Sequence, residues 1–340
     1  MASHARGFTS RPRGGGAAPL RRHHPVNREP SFTGFAHLAP HLLPRVHAGP
    51  TTCIARHGNR ANKGATVAKL TLEQERLHEQ ACRLVDSDRP LDEDEKEFVL
   101  DHYLASSTAR SASDRAHFTP AGLAREMAHL EVFGERVVDL CAGIGRLAFH
   151  CRDSWGRYPH GSRPLVCIER NPEYVRVGKR VVPEAQWICA DVMDIPTMLD
   201  ELGTFDYAVS NPPYGAVPRS ADAPGGYRGR RFEYHVIALA SMIARRGTFL
   251  IPQTAAPFSY SGLPGLQRDT GDDEYRKFVA ATGIELKPEP SVGIDTAFYK
   301  DDWLDVNVVV EVVRADFAER ASAARLPVAD HHGQLALLTR

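Results

Sequence analysis

The sequence predicts an α/β fold built on a mostly parallel sheet. Two observations carry that prediction. Short apolar runs at 136–140, 165–168, 186–189, 205–209 and 247–251 alternate with stretches of helical period. Four of these runs end at or near a residue able to do chemistry: Asp139, Glu169, Asp191 and Asn211. Open α/β sheets place their ligands at such strand ends.

Taken in order, residues 1–65 are rich in Arg, Gly, Pro and His and lack periodicity, which predicts a disordered basic tail. Ten Lys/Arg stand against the single acid Glu29 before Gly64, so the balanced total of 42 basic and 42 acidic residues leaves the rest of the chain net negative. An organelle leader, upstream sequence ahead of a start near Val67, and a phosphate-gripping arm are open alternatives to a non-catalytic tail. Residues 66–114 read as a helical extension. Thr71 caps a first helix carrying Leu72, Leu77, Ala81, Leu84 and Val85, and a second helix covers 92–104 with acids at its start. A third helix over 121–130 places Leu123, Met127 and Leu130 on one face.

The catalytic-type region follows as 115–316. Strand 136–140 runs into the glycine turn Cys141-Ala142-Gly143-Ile144-Gly145 and a helix at 146–152. Further helices are expected at 172–181, 232–244 and 273–281, and a final strand pair at 296–299 and 306–313. Residues 317–340 read as a tail. Six cysteines, at 53, 82, 141, 151, 167 and 189, show no CxxC pair and no metal spacing. They predict a reduced, cytoplasmic protein without a metal, and no run is long enough to span a membrane.

The turn Asn211-Pro212-Pro213-Tyr214 after the fourth strand is the most specific signal. Prolines remove two N–H donors, leaving the Asn211 amide oxygen and the Pro212 carbonyl free to accept both hydrogens of a planar NH₂ group. Tyr214 is then expected to stack on the ring carrying that group. Upstream, the spacing Asp139 to Gly145 lacks the GxGxxG of a pyrophosphate binder. It suits a cofactor built from an amino acid and a nucleoside. Asp139 takes the ammonium, the glycines admit close backbone approach, Glu169 takes two ribose hydroxyls, and Asp191 takes the adenine amino group. Each acid alone also reads as a helix cap, but their succession argues against coincidence.

These residues resemble the S-adenosylmethionine-dependent amino-methyltransferases of class I, most closely the adenine-N6 DNA methyltransferases. The resemblance spans about 115–315 and includes Phe118-Thr119-Pro120, similar to the family's segment over the methionine part of the cofactor. It implies a Rossmann-like, seven-stranded sheet of order 3-2-1-4-5-7-6, helices on both faces and an antiparallel last strand. It further implies catalysis by Asn211, Pro212, Pro213 and Tyr214. Contacts to S-adenosylmethionine are implied for Phe118, Thr119, Pro120, Asp139, Cys141, Ala142, Gly143, Gly145, Glu169, Arg170, Asp191, Val192 and Asn211.

The expected partner is DNA, with RNA and protein glutamine as alternatives. No large recognition domain follows the turn, so a separate recognition subunit or a homodimer is a further expectation. Within the chain, Arg219, Arg228, Arg230 and Arg231, with Tyr227 among them, read either as a backbone clamp with a stacking ring or as a solvated loop. An alternative of another class is a catalytically silent binding protein that retains the fold.

Overall fold

The computed structural model describes residues 71–104, 117–152, 163–288, 293–303 and 308–318. The basic tail at 1–65, the linker at 105–116 and residues 319–340 lie outside the described residues. The helices are α1 (Leu72–Val85), α2 (Glu93–His102), α3 (Ala121–Glu131), α4 (Arg146–Cys151), α5 (Pro172–Val181), α6 (Leu199–Leu202), α7 (Phe232–Ile243) and α8 (Asp273–Thr282). The strands are β1 (Val137–Leu140), β2 (Leu165–Glu169), β3 (Gln186–Cys189), β4 (Phe205–Ser210), β5 (Ala244–Pro252), β6 (Phe258–Ser259), β7 (Gln267–Arg268) and β8 (Val310–Asp316).

Six strands form one sheet in the order β3-β2-β1-β4-β5-β8, and β6 pairs β7 separately. All neighbours in the large sheet are parallel except β5 and β8. Strand direction of growth reverses between β1 and β4, which lie side by side with Asp139 opposite Val209. Their carboxyl ends flank the crevice in which α/β sheets take ligands.

The period-2 geometry of a strand divides the core between the two faces. Val138, Leu140 and Ala208 pack with residues of α7 in one cluster. Val137, Leu165, Tyr207 and Val209 face α3, α4 and α5 in the other. Helix α7 is buried along nearly its whole length, from Phe232 to Ile243, including the polar residues Glu233 and His235.

Helices α1 and α2 each open with a capping box, Thr71 with Gln74 and Asp92 with Glu95. They lie against α4 and α5 through ion pairs, Asp86 to Arg176 at 2.6 Å, Glu93 to Arg152 at 2.8 Å and Asp101 to Arg146 at 2.6 Å. Asp86, Glu93 and Asp101 are therefore held by arginines of the same chain.

Two expectations need correction. The expected strand at 296–299 is a 3₁₀ helix, Thr296–Asp302. Asp295 accepts the Ala297 N–H at 3.0 Å and Thr296 Oγ1 donates to the Val310 carbonyl at 2.6 Å, so side chains supply partners that a ladder would otherwise supply. The seven-stranded sheet has six strands among the described residues. Outside β8, Lys287 makes one isolated antiparallel bridge with Arg314, with N–H···O distances of 2.9 and 2.8 Å.

Candidate active site

A cleft of about 790 Å³, partly open to solvent, lies over the carboxyl ends of β1, β2, β3 and β4. Its lining includes Phe118, Thr119, Asp139, Cys141, Ala142, Gly143, Glu169, Arg170, Asp191, Val192, Asn211 and Pro213, all expected from sequence. Gly145, Pro212 and Tyr214 are not on that wall, and Pro120 lines an adjoining cavity of about 660 Å³.

The glycine turn shapes the floor. Cys141, Gly143 and Gly145 all have left-handed backbones, φ 59°, 57° and 92°. A Cβ on Gly143 would stand 3.3 Å from Phe118 Cε1, so the missing side chain keeps the cleft open beneath that ring. Gly143 N–H donates to Glu169 Oε2 at 2.9 Å, tying the turn to β2. The Asn171 N–H occupies Glu169 Oε1 at 2.8 Å.

Asp139 is 1 % exposed. Its Oδ2 accepts the Ala148 N–H at 3.1 Å, while buried Oδ1 has no hydrogen-bond partner. Burial pushes its carboxyl pKa well above the ordinary range, and the charge of Glu169 adds to the effect. A cationic ligand at Oδ1 would relieve both. Desolvation likewise raises the pKa of the Cys141 thiol, and the charges of Glu169 and Asp191 add to the effect. Asp191 Oδ1 caps the 3₁₀ turn Val192–Thr197 through the Met193 N–H at 3.0 Å, and Oδ2 lies 3.8 Å from Arg170.

At the end of β4, Ser210 donates to the Leu140 carbonyl and joins the two central strand ends. Asn211 Nδ2 donates to the His117 carbonyl and to Thr119 Oγ1, both at 2.9 Å. These two acceptors fix which way the amide faces. Asn211 Oδ1 accepts from the Tyr214 hydroxyl, so Tyr214 is turned onto Asn211 rather than lining the cleft. The Gly215 N–H donates to Glu233 Oε2 at 2.8 Å, and the Phe232 N–H to the Gly215 carbonyl at 2.9 Å, stapling the turn to α7. Glu233 is buried, which raises its pKa.

The expected clamp after the turn is largely internal. Tyr227 is 2 % exposed, packed against Tyr234, His235 and Phe278, and donates to Glu274 at 3.1 Å. Its ring is therefore not presented to a base. Arg219 is held by Asp222 at 2.6 Å and the Gly229 carbonyl at 2.9 Å. Arg231 makes a bidentate pair with Asp272, at 3.0 and 2.5 Å. Arg228 and Arg230 are exposed.

Three lining or supporting groups were not singled out by sequence. His117 contributes a carbonyl, which no sequence pattern marks. Glu233 stands in the first turn of a helix, where an acid is ordinary. Arg146 did leave a signal, since a cation at the first position of a helix opposes the helix dipole.

No protein-family model matches this chain, and no curated protein matches it. Several solved structures align with it. A protein assigned as the modification subunit of a type I restriction enzyme from Vibrio vulnificus YJ016 is 13% identical, with 68% of this chain and 51% of that one covered and a TM-score of 0.44. A methyltransferase subunit of a type I restriction-modification system from Streptococcus thermophilus is 17% identical, with 66% and 51% covered and a TM-score of 0.43. The N-terminal domain of EvdMO1 with SAH bound is 14% identical, with 72% and 96% covered and a TM-score of 0.36. The chain spans about half the length of the two restriction-modification subunits. At these scores the alignments add nothing to the strand order, which by itself defines the fold. The fold is Rossmann-like, with six strands in the order β3-β2-β1-β4-β5-β8 among the described residues. Among the described residues no helix is long and apolar enough to cross a membrane, and no cluster of His, Cys, Asp and Glu could hold a metal. The described cysteines are free thiols, and Cys53 lies outside the described residues.

Proposed function

We propose that this protein is an S-adenosylmethionine-dependent methyltransferase acting on the N6 amino group of adenine in DNA. The observation that carries this reading is the shared cleft. Asn211, its amide fixed by His117 and Thr119, opens on the same space as Asp139, Glu169 and Asp191. The lining fits the cofactor, because buried Asp139 Oδ1 lacks a partner and Gly143 leaves room for ligand beneath Phe118. When bound, S-adenosylmethionine supplies an electrophilic methyl group on a sulfonium.

The chain's own part is binding and orientation. Asp139 holds an ammonium, Glu169 accepts ribose hydroxyls, and Asp191 accepts from an adenine amino group. Asn211 Oδ1 and the Pro212 carbonyl accept the two hydrogens of the target amine. That draws its lone pair out of the ring and stabilises positive charge as it develops on nitrogen. The carbonyl oxygen of Asn211 has two lone pairs, so Tyr214 can stay bonded while an amine hydrogen takes the second. Stacking of Tyr214 on the base would require the ring to leave that bond. A base in duplex DNA must also be flipped out, at a cost of a few kcal/mol.

Internal pairing of Arg219, Tyr227 and Arg231 leaves Arg230 and Arg228, itself 3.6 Å from Asp222, as the exposed cations of this loop. This supports recognition by a separate subunit or a second copy. It also favours, as a second reading, the same chemistry on RNA or on a glutamine amide. Methyl-labelled S-adenosylmethionine incubated with unmethylated DNA, total RNA and cell protein separates the readings. Label recovered as N6-methyladenine in DNA supports the first; label only in RNA or glutamine replaces it with the second. Neither label nor cofactor binding would leave a silent binding protein.

A further inference from the structure

Arg146, the first residue of α4, is 9 % exposed and lines the cleft together with Asp139 and Gly143. Two of its nitrogens are engaged. Nη1 donates to Asp101 Oδ1 at 2.6 Å, and Nη2 donates to the Leu100 carbonyl. Nε is buried and has no hydrogen-bond partner. Asp139 is its complement, with one oxygen satisfied by Ala148 and buried Oδ1 without a donor. Two residues lining one cleft thus carry unpartnered buried atoms of opposite kind, an acidic acceptor and a cationic donor.

Unsatisfied buried groups are costly, and charged ones more so than neutral ones. A single ligand group that answers both is an α-amino acid head, with its ammonium and carboxylate on one carbon. Resting on the methyltransferase reading, we infer that Arg146 binds the carboxylate of the cofactor's amino-acid end, through Nε, while Asp139 Oδ1 binds the ammonium. A guanidinium suits this role because it stays charged when buried and presents donors in a fixed plane. Leu100 and Asp101 at the end of α2 hold the other edge of that plane and so aim it. Arg146 also lines the adjoining cavity with Leu100 and Asp101, which brings the helical extension to the cofactor site. The simpler role, a strut joining α2 to α4, would need only Nη1 and Nη2.

Calorimetry with S-adenosylmethionine and its decarboxylated analogue tests the inference on the full chain. The wild type should bind the parent compound about ten- to a hundredfold tighter than the analogue, the size of one charge-assisted hydrogen bond. Arg146→Gln should collapse that ratio to about one by weakening the parent compound alone, and Arg146→Lys should restore part of it. Because the ratio is taken within one variant, any loss of folded protein cancels. Equal affinities in the wild type, or an unchanged ratio in Arg146→Gln, would overturn the assignment while leaving the methyltransferase reading standing. A wild type that binds neither compound would remove both.

Discussion

Replacing Asn211 with alanine is the most direct perturbation of the cleft, and its consequences can be sized from the bonds it removes. The side chain donates to His117 O and Thr119 Oγ1 and accepts from Tyr214. Each such bond is worth about 1 kcal/mol net. Asn211 is only half-buried, so cleft water replaces part of the loss and the stability cost is about 1–2 kcal/mol. For a domain of this size that lowers Tm by roughly 3–6 °C and leaves the variant folded at 25 °C. The catalytic cost is larger. Losing one preorganised acceptor at the site of developing charge lowers turnover by about 10²–10³. None of the bonds Asn211 makes involves the acids of the cleft, so the Kd for S-adenosylhomocysteine should move by less than about threefold. Thermal unfolding, calorimetry and single-turnover methyl transfer measured on the same preparations separate the three effects. A variant with turnover within tenfold of wild type, or one whose turnover and cofactor affinity fall by the same factor, would refute the role given to the amide.

Other expectations are independent of that one. Gly143→Ala places a Cβ at 3.3 Å from Phe118 on a backbone of φ 57°, costing about 1–2 kcal/mol and weakening S-adenosylhomocysteine. Gly265→Ala, with nothing within 4 Å, is the control and should move Tm negligibly. Replacing both Arg228 and Arg230 by alanine should weaken DNA binding and lower its salt slope by about 2 without changing Tm, because both are exposed. Arg231→Ala, which breaks the pair with Asp272, should lower Tm instead.

Burial, aided by Arg146, Arg125, His129 and Arg152, lowers the His150 pKa from 6.5 to about 3. The folded ring stays neutral where the unfolded one takes up a proton, so this part of the stability is complete above about pH 6.5 and is lost as pH falls. The slope is about 1.4 kcal/mol per pH unit, or about 2 kcal/mol by pH 5. Melts of wild type and His150→Gln at pH 7 and pH 5 should show the smaller loss in the variant.

Local chemistry made much of the fold legible in the sequence. Apolar runs alternating with helical stretches specify parallel pairing, because neither element buries its face alone. Asp139, Glu169, Asp191 and Asn211 could be placed together because parallel strands bring their carboxyl ends to one edge. Thr71 and the acidic start of α2 could be read because caps depend on neighbours in the chain. What depends on distant partners could not be read so. The edge strand is reduced to Lys287 opposite Arg314, and residues 296–302 become a 3₁₀ helix tied to Val310. Both outcomes rest on partners distant in the chain, a backbone bridge to Arg314 and a side-chain bond to the Val310 carbonyl. The arginine loop is the clearest case. From sequence Arg219, Tyr227 and Arg231 are a polar, exposed-looking run, yet Asp222, Glu274 and Asp272 draw all three inward. In the same way only the tertiary structure brought Leu100 and Asp101 to Arg146 and left Nε without a partner, since charge pairing across 45 residues has no periodicity to announce it.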